Sequence, residues 1–419
     1  MNKPHIEPLH LFAGFGVEME YMIVNRDTLE VLPITDKLIY DEVGAYVSDV
    51  EFGEIAWSNE LVLHVVELKT QGPVPSITGL HARFQEHVVK INGMLQKYNA
   101  MLLPTGAHPF MHPETDTRLW PHEYNAVYEA YNKIFDCRGH GWANLQSTHL
   151  NLPFYDDEEF AKLHAAIRMV LPIIPAISAS SPILDGKISG YQDMRIEVYR
   201  HNQEKIPSIA GSVIPEAVFS KAAYEQEILQ RMYQDIAPFD EAGDLQEEFL
   251  NSRGAIARFE RNTIEIRLID IQESPLADLA VLNAVVAVIK ALVSERWVKL
   301  EELKKWDEKT LAGILLDVVK NGQQTMLTNY DYMKCFGFNC MENCTAGEIW
   351  KHLVAETLTL EDEPEIAFAL NIILSRGNLA RRILEATGAN PSPESINKVY
   401  HQVANCLHKG GVFIPEKPC

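Results

Sequence analysis

Residues 13–24, AGFGVEMEYMIV, set two carboxylates two positions apart in an otherwise apolar run. Side chains alternate faces along a strand, so Glu18 and Glu20 project from the same side of whatever sheet this segment joins. Two buried carboxylates side by side repel each other and lose hydration. The segment is therefore either a solvent-facing edge strand or one wall of a site built around a cation. The pattern recurs. Glu60 and Glu67 bracket LVLHVVE, with Glu60 at its mouth beside Ser58 and Asn59; His149 and Asn151 share a face in STHLNL; Glu265 and Arg267 share one in TIEIRLI. Taken singly, each reads as a solvated strand residue. Taken together, Glu18, Glu20, Glu67 and Glu265 all stand within strongly apolar strands, where an unpaired carboxylate is costly.

The first seventy residues read mainly as strands: GVEMEYMIV, a hairpin through NRDTLEVLPI, then AYVSDVEF and LVLHVVELKT. Apolar spacing of three and four predicts an amphipathic helix over 74–98, followed by a strand AMLLPTGAHP and a Pro-rich, His-containing loop over 109–121. A short helix and the strand LQSTHLNLPF come next, then helices over 157–180 and through IPEAVFSKAAYEQEILQRMY. Two late strands, IARFE and TIEIRLID, flank a tight turn at Arg261 and Asn262, and from residue 275 the pattern is almost purely helical. Strands scattered among helices without strict alternation predict an α+β fold with an antiparallel or mixed sheet and a helical C-terminal part.

Composition narrows the functional classes. With 58 acidic against 37 basic residues the net charge is −21, which argues against a nucleic-acid partner. A phosphate substrate is still allowed, because bound metal ions invert the local field. The N-terminus shows no secretory signal. The apolar stretch LADLAVLNAVVAVIKALV carries Asp278, Asn283 and Lys290, so it reads as a buried helix and not a membrane span. Six cysteines, three of them in CFGFNCMENC, are too sparse for a disulfide scaffold and match no common zinc or iron–sulfur spacing. They fit unrelated thiols in a reducing cytoplasm. The chain has no P-loop, no complete dinucleotide fingerprint, no H-E-x-x-H and no G-x-S-x-G. Cys137 and His140 lack the strand–turn–helix setting of a nucleophile and its base.

What remains is a set of acidic strand residues whose convergence would demand several cations. Magnesium is the natural candidate, since it takes carboxylate oxygens and keeps positions for water and phosphate. A sheet lined with glutamates and arginines can hold ATP without a P-loop, the arginines taking up charge that develops on phosphoryl transfer.

Six short motifs in order, GVEMEY, NELVLHVVELKT, LPTGAHPF, STHLNLPF, ISASSPILDG with Arg195 after it, and TIEIRLIDIQ, span about residues 12–300. Over that span the chain resembles the glutamate–cysteine ligases and related bacterial carboxylate–amine ligases, which belong with glutamine synthetase in fold. The resemblance implies an open ATP- and metal-binding cleft on the sheet, helices on its outer face, a catalytic domain over 1–300 and a packed helical region over 301–419. It implies that Glu18 and Glu67, with Glu60 beside them, hold one magnesium, and that Glu20, His149 and Glu265 hold a second. A third ion would share Glu18 or Glu20. Arg267 corresponds to the arginine that steadies the transferred phosphoryl group, with Glu67 and Glu265 as its catalytic companions. Arg195 would touch the acceptor substrate or phosphate. Asn151 stands where some relatives have a second histidine, and is placed with the substrate-binding residues.

The implied activity is ATP-dependent amide formation through an acyl phosphate, with L-glutamate and L-cysteine, as in glutathione biosynthesis, or another acid and amine. Partners would be small molecules, with room for a homo-oligomer. Two other readings stay open: a guanidine-kinase-like phosphotransferase, and a non-catalytic binding protein on the same fold.

Overall fold

The sheet is built from eight strands: β1 (Gly16–Asn25), β2 (Asp49–Phe52), β3 (Ile55–Asn59), β4 (Val65–Thr70), β5 (Ala100–Leu103), β6 (Ser147–Pro153), β7 (Ala255–Arg258) and β8 (Thr263–Asp270). The order is β2-β3-β4-β1-β6-β8-β7, with β5 paired to the C-terminal end of β1. Every pairing is antiparallel. The computed structural model describes residues 7–338 and 343–415.

Alternation along β1 decides the layering. Val17, Met19, Tyr21 and Ile23 face one way and join Val66, Leu68, Leu150, Leu152, Ile264 and Ile266 in the main core. Helices cover that face: α1 (Leu80–Leu95), α3 (Asp157–Val170) and α5 (Pro275–Val293), the last also packed against α6 (Pro364–Arg376). A further helix, α2 (Asn125–Phe135), and the short α4 (Met194–Tyr199) enter below. α5 is long and apolar enough to cross a membrane by length and composition, but most of it is buried inside the fold, as the sequence reading expected. Its Asp278 accepts hydrogen bonds from Thr148 Oγ1 at 2.6 Å and the Gln272 amide at 3.0 Å.

The opposite face of β1 is split. Glu18 and Glu20 occupy its first half, whereas Met22 and Val24 occupy the second and pack with Val65 and Leu103. The helices α7 (Leu379–Thr387) and α8 (Pro393–Lys409) cover this apolar half through Leu379, Ile383, Ile396 and Tyr400. The C-terminal helices therefore close one end of the face and leave the acidic half open. Buried Arg382 secures them, pairing with Glu273 and donating to the carbonyls of Phe413 at 2.6 Å and Gly377 at 3.0 Å.

Several local readings are revised. β3 was absent from the expected strands; it follows β2 through a two-residue turn at Gly53 and Glu54, with Gly53 at φ 78°. The hairpin after β1 returns as a single bridge, Val24 to Val31, before the chain turns helical at Thr35–Val43. The turn between β7 and β8 takes four residues, because Arg258 pairs with Thr263. Helix α1 is shorter than 74–98 and begins after Gly79. Cys137, Cys335 and Cys406 are free thiols, Cys344 is buried, and Cys340 and Cys419 lie outside the described residues.

Candidate active site

Strand register assembles a polar row across the open face. Ser58 lies opposite Glu67 and Asp49, Glu67 opposite Glu20, Glu18 opposite both Lys69 and His149, and Asn151 opposite Glu265. Gly16 pairs with Asn151, and a Cβ there would come 3.0 Å from the Asn151 Cβ, so the second glycine of GFG lets that side chain lie flat beside Glu18. Asn151 Nδ2 donates to Glu18 Oε1 at 3.2 Å. At the far end Arg267 Nε lies 3.1 Å from Glu265 Oε1, and Arg258 Nη1 lies 3.4 Å from Glu265 Oε2.

His149 is the hub. Its Nδ1 is 2.9 Å from Glu18 Oε2, and its Nε2 is 2.8 Å from Ser147 Oγ. The Ser147 hydroxyl and amide both donate to Glu20 Oε2, at 2.8 and 2.7 Å. With its one hydrogen committed to Glu20, Ser147 can only accept from Nε2–H, so His149 carries both protons. Burial alone would lower the pKa of His149; the Glu18 hydrogen bond and the Glu20 charge raise it instead. Burial would likewise raise Glu18, but the His149 hydrogen bond, with the charges of His149, Lys69 and Arg267, brings it to about 2. Glu67 and Glu60 shift the other way. Burial and then the Glu18 charge push Glu67 up to about 7, against the opposing pull of Lys69 and the Ser58 hydroxyl at 2.6 Å. Burial followed by the charges of Glu67 and Glu20 raises Glu60 well above the carboxylate range.

Among the described residues, two groups could hold a metal ion. Ligand atoms of Glu18, His149 and Glu265 all lie within 4.8 Å of one another, and so do those of Glu20, Glu67 and His149. Comparison with known proteins bears on what such a face is for. The model of glutamate-cysteine ligase family 2 matches residues 14–401. The chain belongs to that family. The match runs well past residue 300, where the recognisable motifs stop, so most of the helical C-terminal region lies inside it.

Among relatives of this family member, an "Uncharacterized protein" of Archaeoglobus fulgidus is 30% identical over 95% of this chain and 100% of that protein. A "Putative glutamate--cysteine ligase 2" of Dechloromonas aromatica is 24% identical, over 56% of this chain and 59% of that protein. The crystal structure of glutamate–cysteine ligase from Francisella tularensis in complex with AMP shares the fold, with TM-score 0.59 and 11% identity over 96% of this chain and 90% of that one. The α+β class, the antiparallel sheet and the helical C-terminal part are thus those of this fold.

In this member of glutamate-cysteine ligase family 2, Glu18, Glu20, Glu67, His149 and Glu265 converge, but their grouping differs from the sets implied by resemblance. Register makes Glu67 the neighbour of Glu20 and His149 the neighbour of Glu18, and His149 is common to both groups. Glu60 follows β3 and faces Glu67 without joining either group among the described residues. Arg195 is buried, near enough to Glu20 to feel its charge. Its Nε meets Asp270 Oδ1 at 2.5 Å and its Nη2 donates to the Arg267 carbonyl at 3.2 Å, beneath the strand. Sequence reasoning missed Lys69, Ser147 and Arg258, and placed Ser58 only as a neighbour of Glu60. Lys69 sits two residues after Glu67, so the alternation that placed Glu67 also placed it; its Nζ is 2.7 Å from Asp49 and 3.4 Å from Glu67.

Proposed function

We propose that the protein is an ATP-dependent carboxylate–amine ligase, forming an amide through an acyl phosphate, with L-glutamate and L-cysteine as the first pair to test. The observation that carries this reading is the row of four acidic side chains, one imidazole and Arg267 on a single face, in a chain of glutamate-cysteine ligase family 2. The donor set fits magnesium. Hard carboxylate oxygens dominate it, and buried carboxyls that repel one another gain from a divalent cation. Glu18, Glu265 and His149, the last after giving up a proton, would hold one ion, and Glu20 and Glu67, with Glu60 close by, another. Magnesium bound there would neutralise the phosphate oxygens of ATP.

A carboxylate oxygen of the acid attacks the γ-phosphorus, and the bond to ADP breaks. The amine then attacks the acyl carbon, phosphate leaves, and the amine proton goes to solvent. Arg267 donates hydrogen bonds to the oxygens on which charge changes, and although burial opposes its charge, the carboxylates of Glu265 and Glu20 hold it charged. Ser147 orients Glu20 and His149 together, and Arg195 with Asp270 fixes the strand that carries Arg267. The substrates are small molecules handled in the cytoplasm.

The test is a pairwise screen of amino acids and amines, with magnesium and ATP, for ADP. ADP that appears only when an acid and an amine are both present, with amide in equal amount, is the expected result. ADP formed from a guanidine or amine alone, without amide, would mark a phosphotransferase; failure to bind ATP would point to a binding protein.

A further inference from the structure

The Arg267 end of the row holds a hydrogen-bonding group that no protein atom uses. On α4, Arg195 and Tyr199 are four residues apart and share a helix face. Arg195 donates to the Arg267 carbonyl from that face, so Tyr199 is laid against the same strand. The Tyr199 hydroxyl is buried and has no hydrogen-bond partner among the described residues. Buried polar groups in folded proteins are almost always paired, and this one lies near Arg267, so a substrate bound there is a fitting partner for it. Arg267 itself keeps 28% of its side chain exposed, so the guanidinium still opens to the cleft. Tyr199 lies near Arg267, and Tyr131 of α2 lies near both groups.

We propose that Tyr199 contacts the acid substrate, its hydroxyl donating to the substrate carboxylate alongside Arg267. This rests on the ligase reading. The chemistry of the two ends favours the placement: Glu20 and Glu67 are committed to the metal ion at one end, whereas the Arg267 end offers a guanidinium and a phenol as donors. A contact made equally in the bound substrate and in the transition state lowers KM for that substrate and leaves kcat alone.

The experiment compares wild type with Tyr199→Phe, using the acid and amine that the screen selects. KM for the acid should rise about tenfold, the usual loss for one hydrogen bond to a charged group, while KM for ATP and kcat stay within about twofold. The melting temperature should not fall, since the hydroxyl has no protein partner to lose. An unchanged KM for the acid, an equal rise in KM for ATP, or a lowered melting temperature would overturn the role of Tyr199 and leave the ligase reading standing. A wild-type protein that forms no ADP with any pair would overturn the ligase reading and Tyr199 with it.

Discussion

Arg267 and Tyr199 are neighbours with different expected signatures. Arg267 stands beside Glu265 with its guanidinium open to the cleft, so its hydrogen bonds can follow the charge that moves during phosphoryl transfer. Arg267→Ala should lower kcat by about 10²–10³, with KM for ATP changed far less, because the interaction strengthens in the transition state. Steady-state kinetics decide this: an unchanged kcat with only a raised KM for ATP would remove Arg267 from the chemistry. The residue scale was also where the sequence was most informative. Alternation alone placed Glu18 with Glu20, Glu265 with Arg267 and His149 with Asn151, and each pair does share the open face. Tyr199 carried no such signal. Its direction follows from how Arg195 and Asp270 dock a short helix, which no local periodicity encodes.

At the scale of elements, the C-terminal helices act as a stop on the open face, and a buried ion pair holds them. Arg382 and Glu273 have no exposed surface, and Arg382 also serves two carbonyls. Arg382→Met would strand the Glu273 charge and should cost about 3–5 kcal/mol in denaturant unfolding. The double variant Arg382→Met with Glu273→Leu should recover part of that, because no buried charge is then left unpaired. A single variant within about 0.5 kcal/mol of wild type, the range of ordinary surface changes, would show that the pair does not secure α7. Helical periodicity made the existence of α7 and α8 legible. Which surface they cover was not, since an apolar stripe does not name its partner, and only the register of Met22 with Val65 and Leu103 exposes the patch they fill. The strand β3 was legible in principle: a two-residue Gly-containing turn between DVEF and IAWSN is a hairpin signal.

For the whole molecule, the crowding of acids makes stability depend on pH and on metal together. Glu67 is pushed from 4.5 to about 7 and Asp278 from 3.8 to about 8, so the folded protein keeps protons that the unfolded chain has already lost. Stability without metal should therefore fall as pH rises through that interval. His149, raised above 6.5, acts in the same direction, its contribution complete below that value and lost as pH passes its folded pKa. Glu18, lowered from 4.5 to about 2, loses its contribution only in stronger acid. The melting temperature in a chelator should drop between about pH 5 and pH 8, and magnesium should restore it most at the upper end, where fewer protons compete. A flat or rising profile in the chelator would contradict this view of the cluster. The chemistry itself is tested most directly by isotope transfer. With an acid substrate labelled with ¹⁸O in its reacting carboxylate, attack on the γ-phosphorus moves one labelled oxygen into the inorganic phosphate that the amine later releases. Labelled phosphate in step with amide is the predicted result; unlabelled phosphate while amide accumulates, or label recovered in AMP, would contradict it.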